Sequence, residues 1–231
     1  VTTRARERYH AALSRERVLA AAVALADREG LPALTMRRLA AELGVEAMSL
    51  YHHVPNKEAL LDGLVEVVVE EINTAVRVHD RPEPTRDWKA DLRESILTAR
   101  QVLLRHPWAP ALIETRSSLS LPVVVYHEHV LRLMREGGFS YDLAHHALHA
   151  LGSRALGFTQ ELFRPDDAAG EEEVPDLPVE QFPHLAGMLA EAPHTDSDVS
   201  LGWCDDQSEF EFALDLLLDG LERLRQREAG S

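Results

Sequence analysis

Apolar residues recur at three- and four-residue steps through most of the chain, and strand-like alternation is not sustained over any length, so the pattern predicts helices. The first runs from residue 14 or 15 to 29, with Val18, Leu19, Ala22 and Leu25 on its apolar face and Gly30 ending it. A second, short helix carries Met36, Leu39, Ala40 and Leu43 on one side. Thr35 stands where a hydroxyl caps its start, and Gly44 stands where a left-handed residue ends a helix at little steric cost. Val45 is placed to plug the angle before a third helix over about 46–53, which points Leu50 and Val54 inward. Pro55 stops that helix, and Asn56 caps a long one reaching about residue 78. The long helix is apolar over more than one face (Leu60, Leu61, Leu64, Val65, Val68, Ile72), as expected of a helix buried against two bodies.

Further helices are predicted at 87–106, with Trp88, Leu92, Ile96 and Leu103 inward, as a short turn at 111–115, and at 121–136, where Pro122 lies in the first turn. Gly137 and Gly138 separate this last one from a helix over 141 to about 163, rich in small residues. Two more follow at 179–192 and from 209 to about 227, with loops at 79–86, 164–178 and 194–208. The fold class is all-α, with about ten helices.

Charge separates the two ends of the chain. Residues 1–60 hold nine Arg and Lys against seven Asp and Glu; the remainder holds 15 against 32, for a net charge of −15. A mildly basic head on an acidic body suits a protein that presents one end to DNA. Residues 1–14, with Arg4, Arg6 and Arg8, read as a basic arm. The single cysteine, Cys204, excludes a disulfide framework and fits a reducing compartment. With no signal peptide at the start and no spanning apolar run, the expected location is the cytoplasm, with no membrane partner.

Two helices joined by Gly44-Val45 form the unit that sets its second helix in a major groove, here offering Ala47, Ser49, Tyr51 and His53 outward. The competing reading of the same pattern is an ordinary corner between two helices. For catalysis the chain lacks a nucleophile elbow, a phosphate cradle and a dinucleotide fingerprint, and Cys204 lies in an acidic loop that disfavours a thiolate. No enzyme and no cofactor is expected. His145 and His149 lie one helical turn apart, with His127, His129 and His146 on the same two helices and Glu128 and Glu161 as further oxygen donors. No HExxH spacing or cysteine partner accompanies them, so no metal site is assigned.

The block LTMRRLAAELGVEAMSLYHHVPNKEALLDGL resembles the DNA-binding domain of the TetR family of bacterial repressors. The likeness continues collinearly with a tetracycline-repressor-type C-terminal domain through Trp88, His106, the segment GGFSYDLAHHALHALG and Glu161. It implies an N-terminal three-helix DNA-binding domain over residues 1–60. A larger helical effector-binding and dimerisation domain would occupy residues 61–231, with helices 141–163 and 209–227 pairing in a homodimer. The partners implied are a palindromic operator and a small-molecule effector that releases it.

Carried over position by position, the resemblance implies DNA contacts from Thr35, Arg37, Ala47, Met48, Ser49, Tyr51, His53 and Lys57. Arg37 would read a base, and Tyr51 and Lys57 would hold phosphates. Ala47 and Met48 replace the Gln and Pro of tetracycline repressor, so its operator does not carry over. The effector positions fall on Asn73, Ser95, Ala99, Ile113 and Glu161. Ile113, or Leu112 after a one-residue shift, replaces the histidine that holds the drug's magnesium, which argues against tetracycline as the effector. The alternative from another class is a helical ligand- or metal-sensing protein that does not bind an operator.

Overall fold

The computed structural model describes residues 13–78, 87–116, 120–157, 183–184 and 206–230. Among the described residues there is no strand. The helices are α1 (Arg15–Glu29), α2 (Met36–Leu43), α3 (Ala47–Tyr51), α4 (Lys57–Ala75), α5 (Trp88–Arg105), α6 (Ala109–Thr115), α7 (Leu121–Glu136), α8 (Tyr141–Gly157) and α9 (Asp206–Ala229), with a 3-10 turn at Leu31–Ala33. The chain divides into two compact units, Val1–Leu148 and His149–Ser231.

In the first unit, local side chains set most helix starts. Ser14 accepts from the Arg17 amide at 3.2 Å, Thr35 from Arg38 at 3.1 Å, Asn56 from Ala59 at 2.8 Å and Asp87 from Ala90 at 3.1 Å. Each such cap stabilises its helix by about 1 kcal/mol. The spine is α4, which packs against α1 and also against α5, α6 and α7. That double contact explains its wide apolar arc: Leu60, Leu64, Val65, Val68, Val69 and Ile72 are all buried. Gly63 makes the α1–α4 contact possible, because a Cβ there would lie 2.5 Å from a Leu19 methyl. At the other end of the unit, Trp88 of α5 meets Phe139 edge-to-face at 4.6 Å between ring centroids.

The second unit begins within α8, which the structure describes as helical to Gly157, and includes α9. Along α9, Phe210, Leu214, Leu218 and Leu221 are buried at three- and four-residue spacing, while Phe212, Leu216 and Leu224 are exposed.

Several boundaries differ from expectation. The long helix ends at Ala75, where Val76 caps it and Arg77 adopts a positive φ of 56°. The third helix is shorter, ending at Tyr51; α6 starts earlier, at Ala109; and α9 starts earlier, at Asp206. Val45 is half-buried between α2 and α3, and Leu50 and Val54 are fully buried. Residues 1–12 of the basic arm, residues 158–163 of the helix expected to reach about 163, the loops at 79–86 and 164–178, Cys204 and most of the helix expected at 179–192 lie outside the described residues; of that last helix, Pro183 and His184 are described, and they are helical.

Candidate nucleic-acid interface and polar core

The head is closed by one turn. Gly44 is left-handed (φ 67°, ψ 33°), and its amide donates to the carbonyls of Ala40 and Ala41. The Val45 amide then donates to the Ala40 carbonyl at 3.0 Å, a Schellman-type ending that leaves α3 free to turn away. Leu50 and Val54 are fully buried beneath α3, anchoring it. The opposite side is open: Met48 is 72% exposed and Tyr51 41%. Ala47, Ser49 and His53 are half-buried, while Thr35, Arg37 and Lys57 are exposed. All eight residues expected to face DNA therefore lie outside the core, at the starts of α2 and α4 and along α3 with the turn after it.

Ion pairs sort the head's arginines. Arg28 bonds Glu42 at 3.0 Å, Arg38 bonds Glu29 at 2.7 Å, and Arg15 bonds Glu66 of α4 at 2.7 Å. These cations tie the head together. Arg37 stands outside those pairs and projects to solvent.

A buried polar interior lies where α4, α5 and α7 pack. Asn73 of α4 is completely buried; its amide nitrogen donates to the Pro122 carbonyl at 3.0 Å and faces a Glu70 carboxylate oxygen at 3.5 Å. Both neighbours are acceptors, which sets the amide orientation and leaves the Asn73 Oδ1 buried without a hydrogen-bond partner. Ser95 of α5 is buried, with its hydroxyl 2.9 Å from His129 Nε2 on α7. Arg132 reaches His129 Nδ1 at 3.4 Å, so Nδ1 accepts and Nε2–H donates to Ser95. Burial, reinforced by the Arg132 charge, pushes the His129 pKa down to about 4, so the ring is neutral near pH 7.

Pro122 and His129 are seven residues apart on α7, so the two polar contacts lie about 10 Å apart along one face. Ala99 is buried one turn beyond Ser95, and Ile113 is half-buried on α6, next to the buried Leu112. Asn73, Ser95 and Ala99 are all buried, while Glu161 lies outside the described residues. His129 was grouped by sequence with the candidate metal ligands; instead it is bound to Ser95. His127 Nδ1 donates to the Val123 carbonyl at 2.7 Å on its own helix. No group of three or more His, Cys, Asp or Glu suited to a metal occurs among the described residues.

Sequence reasoning missed two ionic ties across this unit. His106, 7% exposed at the end of α5, places Nδ1 2.8 Å from Asp27 Oδ1 on α1 and Nε2 3.1 Å from Glu71 Oε2 on α4. Trp108 Nε1 donates to the same Asp27 oxygen at 2.7 Å, and Arg105 pairs with Glu71. Burial pushes Glu71 up, but the hydrogen bonds from Arg105 and His106 outweigh it and hold the carboxyl below its ordinary range. Past the end of α6, Arg116 bonds Glu58 at 2.7 Å and reaches Asp62 at 3.4 Å, both on α4. Separations of 79, 35, 58 and 54 residues hide these pairs from any local pattern.

A helix-turn-helix closed by a left-handed glycine and carried on a helical body with a buried polar interior defines the class: an all-helical DNA-binding regulator with a ligand-responsive core. Residues 18–64 match the profile of bacterial regulatory proteins of the tetR family, and residues 81–225 match that of the tetracyclin repressor-like C-terminal domain; the chain belongs to the TetR family of transcriptional regulators. It is 31% identical over 226 residues to the HTH-type transcriptional repressor DrrR1 of Streptomyces coeruleorubidus, covering 94% of this chain and 80% of that one. It is 34% identical over 216 residues to the class D tetracycline repressor of Escherichia coli, covering 92% and 90%. The solved structure of the Streptomyces coelicolor TetR family protein ActR in complex with actinorhodin superposes with a TM-score of 0.72 at 29% identity, covering 93% and 99%. No helix among the described residues is long and apolar enough to cross a membrane.

Proposed function

We propose that this chain is a non-enzymatic cytoplasmic repressor. It binds a palindromic operator as a homodimer and is released by a small molecule held in the interior between α4, α5 and α7. The observation that carries the reading is the division of α3 into two sides, Leu50 buried beneath it and Met48 and Tyr51 exposed above. Residues 1–60 are the DNA-binding domain and residues 61–231 the effector-binding and dimerisation domain. Thr35, Arg37, Ala47, Met48, Ser49, Tyr51, His53 and Lys57 form the DNA-facing set. Arg37 serves as the base reader through a bidentate contact to guanine, since the neighbouring Arg28 and Arg38 are engaged with carboxylates. Tyr51 and Lys57 take phosphates.

Asn73, Ser95, Ala99 and Ile113 line the effector site. The neutral state of His129, the Ser95 hydroxyl beside it and the Asn73 amide further along the same face favour an uncharged ligand with hydrogen-bonding groups at both ends. The complex of the related ActR with actinorhodin supports a small organic effector. Ile113 and Leu112 supply no ligand for magnesium, which argues against tetracycline.

A gel shift of the purified protein on the intergenic DNA flanking its own gene, at two salt concentrations, tests the operator reading. Saturable binding should weaken steeply with salt, and Tyr51→Ala should weaken it by roughly tenfold or more without changing the melting temperature. No retardation at low salt, or retardation indifferent to Tyr51→Ala, would sink it.

A further inference from the structure

We propose that His106 is a positioning residue: through Asp27 it latches the DNA-binding head, at the end of α1, to the junction of α5 and α6. The imidazole has a carboxylate oxygen on each side, at 2.8 Å from Asp27 and 3.1 Å from Glu71. The ring thus bridges two carboxylates, one on α1 and one on α4. Arg105 stands on the far side of Glu71, and Trp108 adds a second donor to Asp27 at 2.7 Å. His106 is 7% exposed, so the ring itself is buried while its carboxylate partners keep part of their contact with solvent.

The latch is placed where it controls the angle of the head. Leu19 packs against Gly63 where α1 meets α4, too closely for a Cβ at that position. Asp27 lies eight residues further along α1, about 12 Å from that contact. Turning α1 about the Leu19–Gly63 contact by roughly 10° carries Asp27 about 2 Å, enough to break a hydrogen bond, while the pivot itself barely moves. The same junction leads into α6, which carries Ile113 and whose far end is tied to α4 through Arg116. A displacement of α6 therefore acts on the head through His106 and Trp108 at one end and Arg116 at the other. This assigns a regulatory route to the function proposed above, and it rests on that reading only for its consequence at DNA.

The test is a distance measurement in the full-length chain. Nitroxide labels at Met48→Cys in the head and Glu94→Cys on α5, both exposed positions, are placed in a Cys204→Ser background, with labelled protein diluted into unlabelled protein. Asp27→Ala should broaden the intramolecular distance distribution or add a second population displaced by about 3 Å or more. Asp27→Asn, which keeps the acceptor oxygen, should stay near wild type. Trp108→Phe, which keeps the packed ring and removes one donor, should give a smaller change in the same direction, and it decides the matter if Asp27→Ala unfolds the head. On DNA, Asp27→Ala should narrow at least fivefold the preference between an operator of native half-site spacing and one lengthened by a base pair, an effect that simple loss of stability does not produce. Distance distributions unchanged in both Asp27→Ala and Trp108→Phe would overturn the latch. Failure of the wild-type protein to retard DNA would instead count against the operator reading and leave the distance result to stand on its own.

Discussion

The head and the polar core of the first unit solve opposite problems. The head keeps Leu50 and Val54 inside and sends its polar and chemically versatile side chains outward, where water satisfies them. The core puts Asn73, Ser95 and His129 inside, where each needs a partner from another helix. An unpaired buried polar group costs about 1–3 kcal/mol, and the orphaned Asn73 Oδ1 bears such a cost. An open polar surface is thus compatible with a stable local fold, whereas a buried polar interior is held against the hydrophobic effect by a few long-range hydrogen bonds.

The comparison breaks most visibly where the head's small core is emptied. Leu50→Ala removes a fully buried side chain and should destabilise the head by about 2–5 kcal/mol, read as an early transition in far-ultraviolet circular dichroism and as loss of operator binding. A single transition at the wild-type temperature would mean that α3 does not depend on that anchor.

The core should instead yield to acid. His129 titrates near 4 in the folded chain against an ordinary 6.5, so the unfolded chain takes up the proton first. Its contribution is complete above pH 6.5 and drains away as pH falls toward 4, at about 1.4 kcal/mol per pH unit and about 3 kcal/mol in all. Urea unfolding across that window should show the slope, and His129→Asn should flatten it; equal slopes in the two proteins would remove His129 from the account.

The smallest effect belongs to the head's local grammar. Thr35→Ala deletes the cap on the Arg38 amide and should cost about 1 kcal/mol in thermal melts, with no change in the acid slope.

Sequence alone determined the elements whose causes lie within about four residues. Thr35 and Asn56 cap the helices they were expected to cap, and Gly44 turns the chain between α2 and α3, because a cap or a left-handed turn is a contact between near neighbours. The wide apolar arc of α4 likewise announced a helix packed on more than one side. Tertiary structure decided the rest. His129 was legible as a histidine on a helix but not as the partner of Ser95, 34 residues away. Gly63 looked like any helical glycine until Leu19 was found against it. Asp27 and His106, 79 residues apart, carry no shared pattern at all. Periodicity reports which face of a helix is buried; which polar atoms meet inside depends on how helices distant in sequence are brought together, and no local preference encodes that.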